Sequence, residues 1–129
     1  MGEHIVKYTL VDPTTIGEGA FYYCDSLTNI TIPNSITSID ESAFERCGLT
    51  SITIPSGVTS IDNRAFYRCA SLTNIISLAT TAPTVEDYTF YYIKTDGTLT
   101  VPSGSTGYDV WMGTGDYYLG QFNWTKVEQ

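Results

Sequence analysis

Cys24, Cys47 and Cys69 each stand three residues after a phenylalanine, in Ala20-Phe21, Ala43-Phe44 and Ala65-Phe66. Thiols at a repeating position raise three kinds of chemistry: a disulfide, a metal site, or a nucleophile. Three cysteines leave one unpaired under any disulfide pairing, and neighbouring thiols must also approach closely. A metal site of this class wants histidine or further thiolate partners, and the sole histidine, His4, lies outside the repeated pattern. The position that continues the series after Thr89-Phe90 is Ile93, so the slot accepts an apolar filler. The expectation is reduced thiols serving as core packing. A single histidine also leaves no Ser-His-Asp or Cys-His arrangement along the array. No P-loop, G-x-G-x-x-G or H-E-x-x-H occurs. Acids are plentiful, but small coils offer no deep cleft for a carboxylate pair. The expected protein is not an enzyme and carries no cofactor or metal.

Three other sets repeat with the cysteines. Asp40, Asp62 and Glu86, flanked by Glu18, Glu41 and Asp87, form an acidic column. Acids there complement the start of a helical turn, and the competing use is a shared Ca²⁺. Tyr22, Glu45, Tyr67 and Tyr91 make a second column, with Tyr23, Arg46, Arg68 and Tyr92 beside it. Tyrosine with arginine is the composition of binding hot spots, so Tyr22, Tyr23, Tyr67, Arg68, Tyr91 and Tyr92 are a candidate patch; shielding of neighbouring coils is the alternative. The third set is uncharged: Asn29, Ser51, Asn74, Thr98 in one rank and Thr31, Thr53, Ile76, Thr100 in the next. As outward positions of parallel strands they form a candidate concave binding face, although threonine favours exposed strands in any case.

These side chains must be positioned by repeating elements. The unit restarts at Ile16, Ile39, Ile61 and Val85, a period of 22–24 residues, which divides the chain into 16–38, 39–60, 61–84 and 85–102. Residues 1–15 are expected to form an N-terminal cap strand, about His4–Val11, and 103–129 an aromatic C-terminal cap in which Tyr108, Val110, Trp111, Phe122 and Trp124 cover the last coil. Within a coil, Leu27, Leu49 and Leu72 precede alternating pairs, Ile30/Ile32, Ile52/Ile54 and Leu99/Val101, with Ile75 followed by a displaced Leu78. Alternation predicts strands. Pro33, Pro55 and Pro102 should end them, because proline has no N–H to donate. "IDESAFERC" predicts a helical turn capped by Asp40 or Ser42, with Ala43, Phe44 and Cys47 facing inward. Phe21, Cys24, Leu27, Phe44, Cys47, Leu49, Phe66, Cys69, Leu72 and Phe90 are the expected core columns. One coil cannot bury its own apolar edge, so the coils must stack.

Charge narrows the partners. The 129 residues carry 14 acids against 6 bases, a formal charge of −8, which disfavours nucleic acid and anionic membranes. No apolar run approaches the ~20 residues of a membrane helix, and "MGEHIVKYTL" has no signal-peptide pattern.

The whole pattern, I-x-x-x-A-F-x-x-C-x-x-L-T-x-I-x-I-P-x-S-V-T-x-I, resembles the BspA-type leucine-rich repeat of bacterial surface proteins over residues 16–102. "TLTVPSGSTGYDVW", residues 98–111, is similar to that family's terminal segment. Departures are a residue missing at Gly48 and the absent strand proline in "NIISLATTAPTV". The resemblance implies a right-handed α/β leucine-rich-repeat solenoid of about four coils, with parallel strands on one side and short helical turns on the other. It also implies an extracellular or cell-surface binding or adhesion module without a shared catalytic site. The expected partner is a protein, or alternatively a glycan met by Tyr/Trp surfaces including Trp111 or Trp124, on a host or neighbouring cell. A purely structural role at the end of a larger surface protein or fibre is the other alternative.

Overall fold

The computed structural model describes residues 14–86, 88–113 and 118–129. Strands are numbered in chain order: β1 (Thr15–Ile16), β2 (Ser38–Ile39), β3 (Ser51–Ile54), β4 (Ser60–Ile61), β5 (Asn74–Ser77), β6 (Thr84–Val85), β7 (Thr98–Val101) and β8 (Thr125–Glu128). They form two parallel sheets, β1-β2-β4-β6 and β3-β5-β7-β8. The three middle turns each lay one short strand into the first sheet and one longer strand into the second. The first described turn gives only β1, the expected Ile30/Ile32 strand being absent, and the last gives only β8. The result is a parallel β-solenoid of about five turns.

The register follows the apolar columns. Ile16, Ile39, Ile61 and Val85 pair in series, as do Ile52, Ile75 and Leu99. In β3 and β7 the apolar residues fall on one side and bury against the neighbouring coils' equivalents, as Ile75 does in β5. Thr50, Thr73 and Thr98 form a further ladder, their backbone N–H groups donating to the carbonyls of Thr28, Thr50 and Thr73, one coil earlier. The repeated Leu-Thr pair thus combines a core residue with a coil-to-coil bond. Proline ends β3 and β7 at Pro55 and Pro102. Where proline is absent, the Leu78 N–H donates to the Ile54 carbonyl, a bond that proline could not make.

The segment expected as a helical turn is not a helix, which corrects the α/β expectation. The one helix among the described residues is the short 3₁₀ turn Leu119–Phe122. Instead Gly19, Ser42 and Arg64 have φ near +60°, and so do Tyr23, Arg46, Arg68 and Tyr92. Between them, N–H groups alternate in direction. Ala43, Glu45 and Cys47 donate three residues back, whereas Ser42, Phe44 and Arg46 donate to Asn63, Ala65 and Tyr67 of the next coil. A helix would keep these donors within one coil; the left-handed residues turn every second one toward the neighbour. Ser42 accordingly caps no helix, and its hydroxyl donates to the Glu45 carboxylate at 2.7 Å.

Phe21, Phe44, Phe66 and Phe90 stack with planes within 6° and centroids 5.3, 5.4 and 6.0 Å apart. Trp111 continues the column at 5.3 Å from Phe90. Phe44, Leu49, Phe66, Cys69, Leu72 and Phe90 are buried, while Phe21, Cys24 and Leu27, in the first described coil, are only partly covered. In the Ala column Thr89 is fully buried, its hydroxyl bonded to the Asp62 carbonyl.

Two further expectations are corrected. Leu78 is exposed, and Ser77 takes the inward place, its hydroxyl 2.7 Å from Tyr108 Oη, which donates on to the Ala79 carbonyl. The C-terminal segment does more than cover the fourth coil. It makes a fifth, in which Tyr108, Trp111 and Trp124 are buried, β8 pairs with β7 over four residues, and Val110 is exposed. Trp124 lies flat over Gly97, where a Cβ would stand 2.3 Å from the ring. Gly48, the short point of repeat two, sits where a Cβ would meet the Asp25 carbonyl oxygen at 2.2 Å. The His4–Val11 strand lies outside the described residues.

The thiols are free. Cys47 and Cys69 donate to the carbonyls of Phe21 and Phe44, one coil back. Burial pushes the Cys69 thiol up to about 12 and Cys47 well above the usual thiol range. In the unfolded chain both ionise from roughly pH 8.5. With folded pKa values raised, their stabilisation is complete below that pH and is lost as pH rises through it. Stability is therefore expected to fall by about 1.4 kcal/mol per thiol per pH unit above about pH 9. Urea titrations between pH 7 and 10 would show this slope, and Cys47→Ala/Cys69→Ala would remove most of it.

Candidate functional site

The positive-φ residues of the turn segment decide which side chains stand outside the fold. Tyr23, Arg46, Arg68 and Tyr92 occupy one such position in four successive coils, with φ of 62°, 60°, 59° and 60°. A left-handed conformation costs a residue with a Cβ about 1–2 kcal/mol. The coil accepts that cost because the same residue's N–H bonds to the neighbour: Tyr23 to Glu45, Arg46 to Tyr67, Arg68 to Tyr91. Four side chains are thereby held in one row.

The row is ordered by charge and ring. The Arg46 guanidinium lies 4.7 Å from the Tyr23 ring centroid, and Arg68 lies 4.8 Å from that of Tyr92. Arg68 also sits 5.6 Å from Tyr67, and Arg64 packs over Tyr67 and Tyr88 at 5.1 and 5.8 Å. A hydrogen bond with Tyr67 raises the Arg68 pKa further, so it stays charged at any working pH. Tyr67, Tyr88, Tyr91 and Tyr92 form a continuous ring cluster, which Tyr91 extends to Phe122. At the other end Tyr22 and Tyr23 meet edge to face at 4.8 Å. Between the two groups runs a furrow of about 440 Å³ lined by Tyr23, Asp25, Arg46, Arg68, Ala70 and Tyr92. Among the described residues neither Arg46 nor Arg68 has a carboxylate within ion-pair distance.

Most of the sequence-predicted patch is brought together. Tyr67, Arg68, Tyr91 and Tyr92 are contiguous, while Tyr22 and Tyr23 stand across the furrow, each about half exposed. Glu45, expected in the exposed column, is buried. Asp25 and Arg64 were not foreseen as members. Arg64 had a signal: it occupies the left-handed position that Gly19 marks in the first coil. Of the strand ranks, Ser51, Asn74, Thr98 align with Thr125, and Thr53, Ile76, Thr100 with Val127. Only Thr53 among the predicted members on these strands is well exposed, and Ile76 and Val127 interrupt the polar face. Asn29 and Thr31 lie outside any strand. The acidic column forms no ligand set: among the described residues no three His, Cys, Asp or Glu side chains gather as metal ligands. Asp87 and His4 lie outside the described residues.

Positive φ at the Arg68 position makes stability and surface chemistry separable. Arg68→Gly relieves about 1 kcal/mol of backbone cost and loses cation–π contacts of about 0.5–1 kcal/mol each. Its unfolding free energy from urea titration is expected to change by less than ~1 kcal/mol, against several for a core truncation.

Stacked parallel coils with repeating core columns and variable outward rows define a repeat scaffold. The BspA type leucine-rich repeat region matches residues 13–111 in six copies, and the chain belongs to that family. No curated protein and no solved structure matches the chain.

Proposed function

We propose that the chain is a non-catalytic binding or adhesion module of a secreted or cell-surface protein, engaging a partner on a host or neighbouring cell through the Tyr/Arg face. The family is generally found in surface proteins and suggests protein-interaction repeats, and its solenoid is typically a non-catalytic scaffold. Among the described residues no helix is long and apolar enough to cross a membrane. The observation that carries the reading is the row Tyr23, Arg46, Arg68, Tyr92, held outside the core at positive φ in four coils. Tyrosine contributes a large, stiff contact surface at low entropic cost, and the packing of Arg46 and Arg68 against tyrosine rings restrains their longer side chains in advance.

A screen of the purified chain against immobilised extracellular-matrix proteins, glycans and whole cells tests this. Arg46→Glu/Arg68→Glu is expected to abolish the recovered binding, and Thr53→Lys/Thr100→Lys on the strand face to leave it intact. Loss with the strand variant alone would move the site to the sheet. No binding by the parent chain to any surface would leave the structural role as the better reading.

A further inference from the structure

We propose that the furrow between Tyr23 and Tyr92 takes a carboxylated sugar residue, its carboxylate held by Arg46 and Arg68 and its hydroxyls by Asp25; this rests on the binding reading above. Three features point to that chemistry. Arg46 and Arg68 occupy the same position in adjacent coils and carry like charge with no acid paired to either among the described residues. Like charges in adjacent rows repel, and an anion lodged between them removes the repulsion. Arg46 packs against the Tyr23 ring and Arg68 against those of Tyr92 and Tyr67, with one Arg68 donor engaged by Tyr67. The remaining N–H donors of each five-donor fork can meet a carboxylate in parallel hydrogen bonds.

The second feature is Asp25 in the wall of the furrow. A carboxylate beside two arginines is an acceptor for donors that the ligand itself must bring. Acidic sugars carry hydroxyl donors next to their carboxylate and satisfy both walls. An acidic peptide also has donors in its backbone N–H groups, but its run of carboxylates meets Asp25 and a chain of net charge −8 with more repulsion than one sugar carboxylate does. The third feature is the pair of half-exposed rings at the furrow's ends, Tyr23 at 51% and Tyr92 at 48%. Arg46 lies over the Tyr23 ring, and Arg68 and Tyr91 lie against that of Tyr92, so a pyranose would pack on the parts of the two rings that these neighbours leave exposed. The volume of about 440 Å³ falls within the ~300–1,000 Å³ range of small-ligand sites.

The test is calorimetric titration of the whole chain with a glucuronate-containing tetrasaccharide, with sialyllactose, with lactose as the neutral twin, and with a polyglutamate peptide. One or both acidic sugars are expected to bind, with lactose and polyglutamate at least about tenfold weaker. Arg46→Gln and Arg68→Gln should each weaken the acidic sugar by about tenfold or more, as loss of a charge-assisted bond does. Asp25→Asn should weaken it less, and by the same factor for a sugar of either acid type. Circular dichroism and urea midpoints like the parent's establish that each variant is folded; Arg68→Gly serves if a glutamine variant is not. The proposal is overturned if neither acidic sugar binds, if the arginine variants bind it undiminished, or if polyglutamate binds as tightly. Should the sugars fail while cell binding is still lost in Arg46→Glu/Arg68→Glu, the binding module stands and only its ligand chemistry falls.

Discussion

Phe66→Ala is expected to destabilise the solenoid by about 3–5 kcal/mol, at the upper end for a single core truncation. Phe66 is fully buried, with a parallel ring on each side, Phe44 at 5.4 Å and Phe90 at 6.0 Å. Removing the middle ring leaves a void that two coils share. The void closes poorly, because the flanking rings are fixed by backbone bonds between coils: Phe44 N–H to the Ala65 carbonyl at 2.8 Å, Phe66 N–H to Thr89 at 2.9 Å. The cavity term therefore adds to the lost transfer energy. Phe21→Ala is the internal control. Its ring is partly exposed, so less apolar surface returns to water and about 1–2 kcal/mol is expected. Urea unfolding of parent and both variants at pH 7 measures the pair. Equal losses would mean that the rings do not stack in a graded column from end to interior.

Trp111→Ala is expected to cost a similar amount, about 3–5 kcal/mol, and to act first on the fifth turn. Trp111 is fully buried, packs at a tilt of 49° against Phe90, meets Tyr108 at 5.0 Å, and donates its indole N–H to the Pro83 carbonyl at 2.9 Å. Its loss removes both the last ring of the aromatic column and the donor to a carbonyl in the preceding coil. Trp111→Phe retains the ring and leaves that carbonyl unpartnered, so about 1–3 kcal/mol is expected. Hydrogen exchange gives the location: amides of Thr125–Glu128, bonded to β7, should lose protection in Trp111→Ala while those of β3 and β5 keep it. Uniform loss along the array, or none, would contradict a fifth turn held in place by this side chain.

These residues also show how far the sequence could be read. The Phe, Cys and Leu columns were legible because each coil presents the same packing demand at the same offset, so a repeated residue is a repeated contact. The same logic found the paired isoleucines of β3 and the Tyr/Arg columns. It failed where a coil departs from its neighbours. Leu78 looks like an inward residue, yet Ser77 takes that place because Tyr108, some thirty residues on, supplies its hydroxyl with a partner. "IDESAFERC" has good helix formers, and local preference gave no warning that every second N–H would turn to the next coil.

What the sequence by itself determined is the period, the core columns and the stacking of parallel coils, since each follows from apolar residues that a single coil cannot bury. The tertiary structure alone decided the left-handed turn residues, the fifth turn closed by Trp111 and β8, and the furrow between Tyr23 and Tyr92. Each of these depends on hydrogen bonds or ring contacts between residues a full coil or more apart. Such partners become neighbours only when the coils are stacked, and local sequence carries no record of which coil will lie beside which.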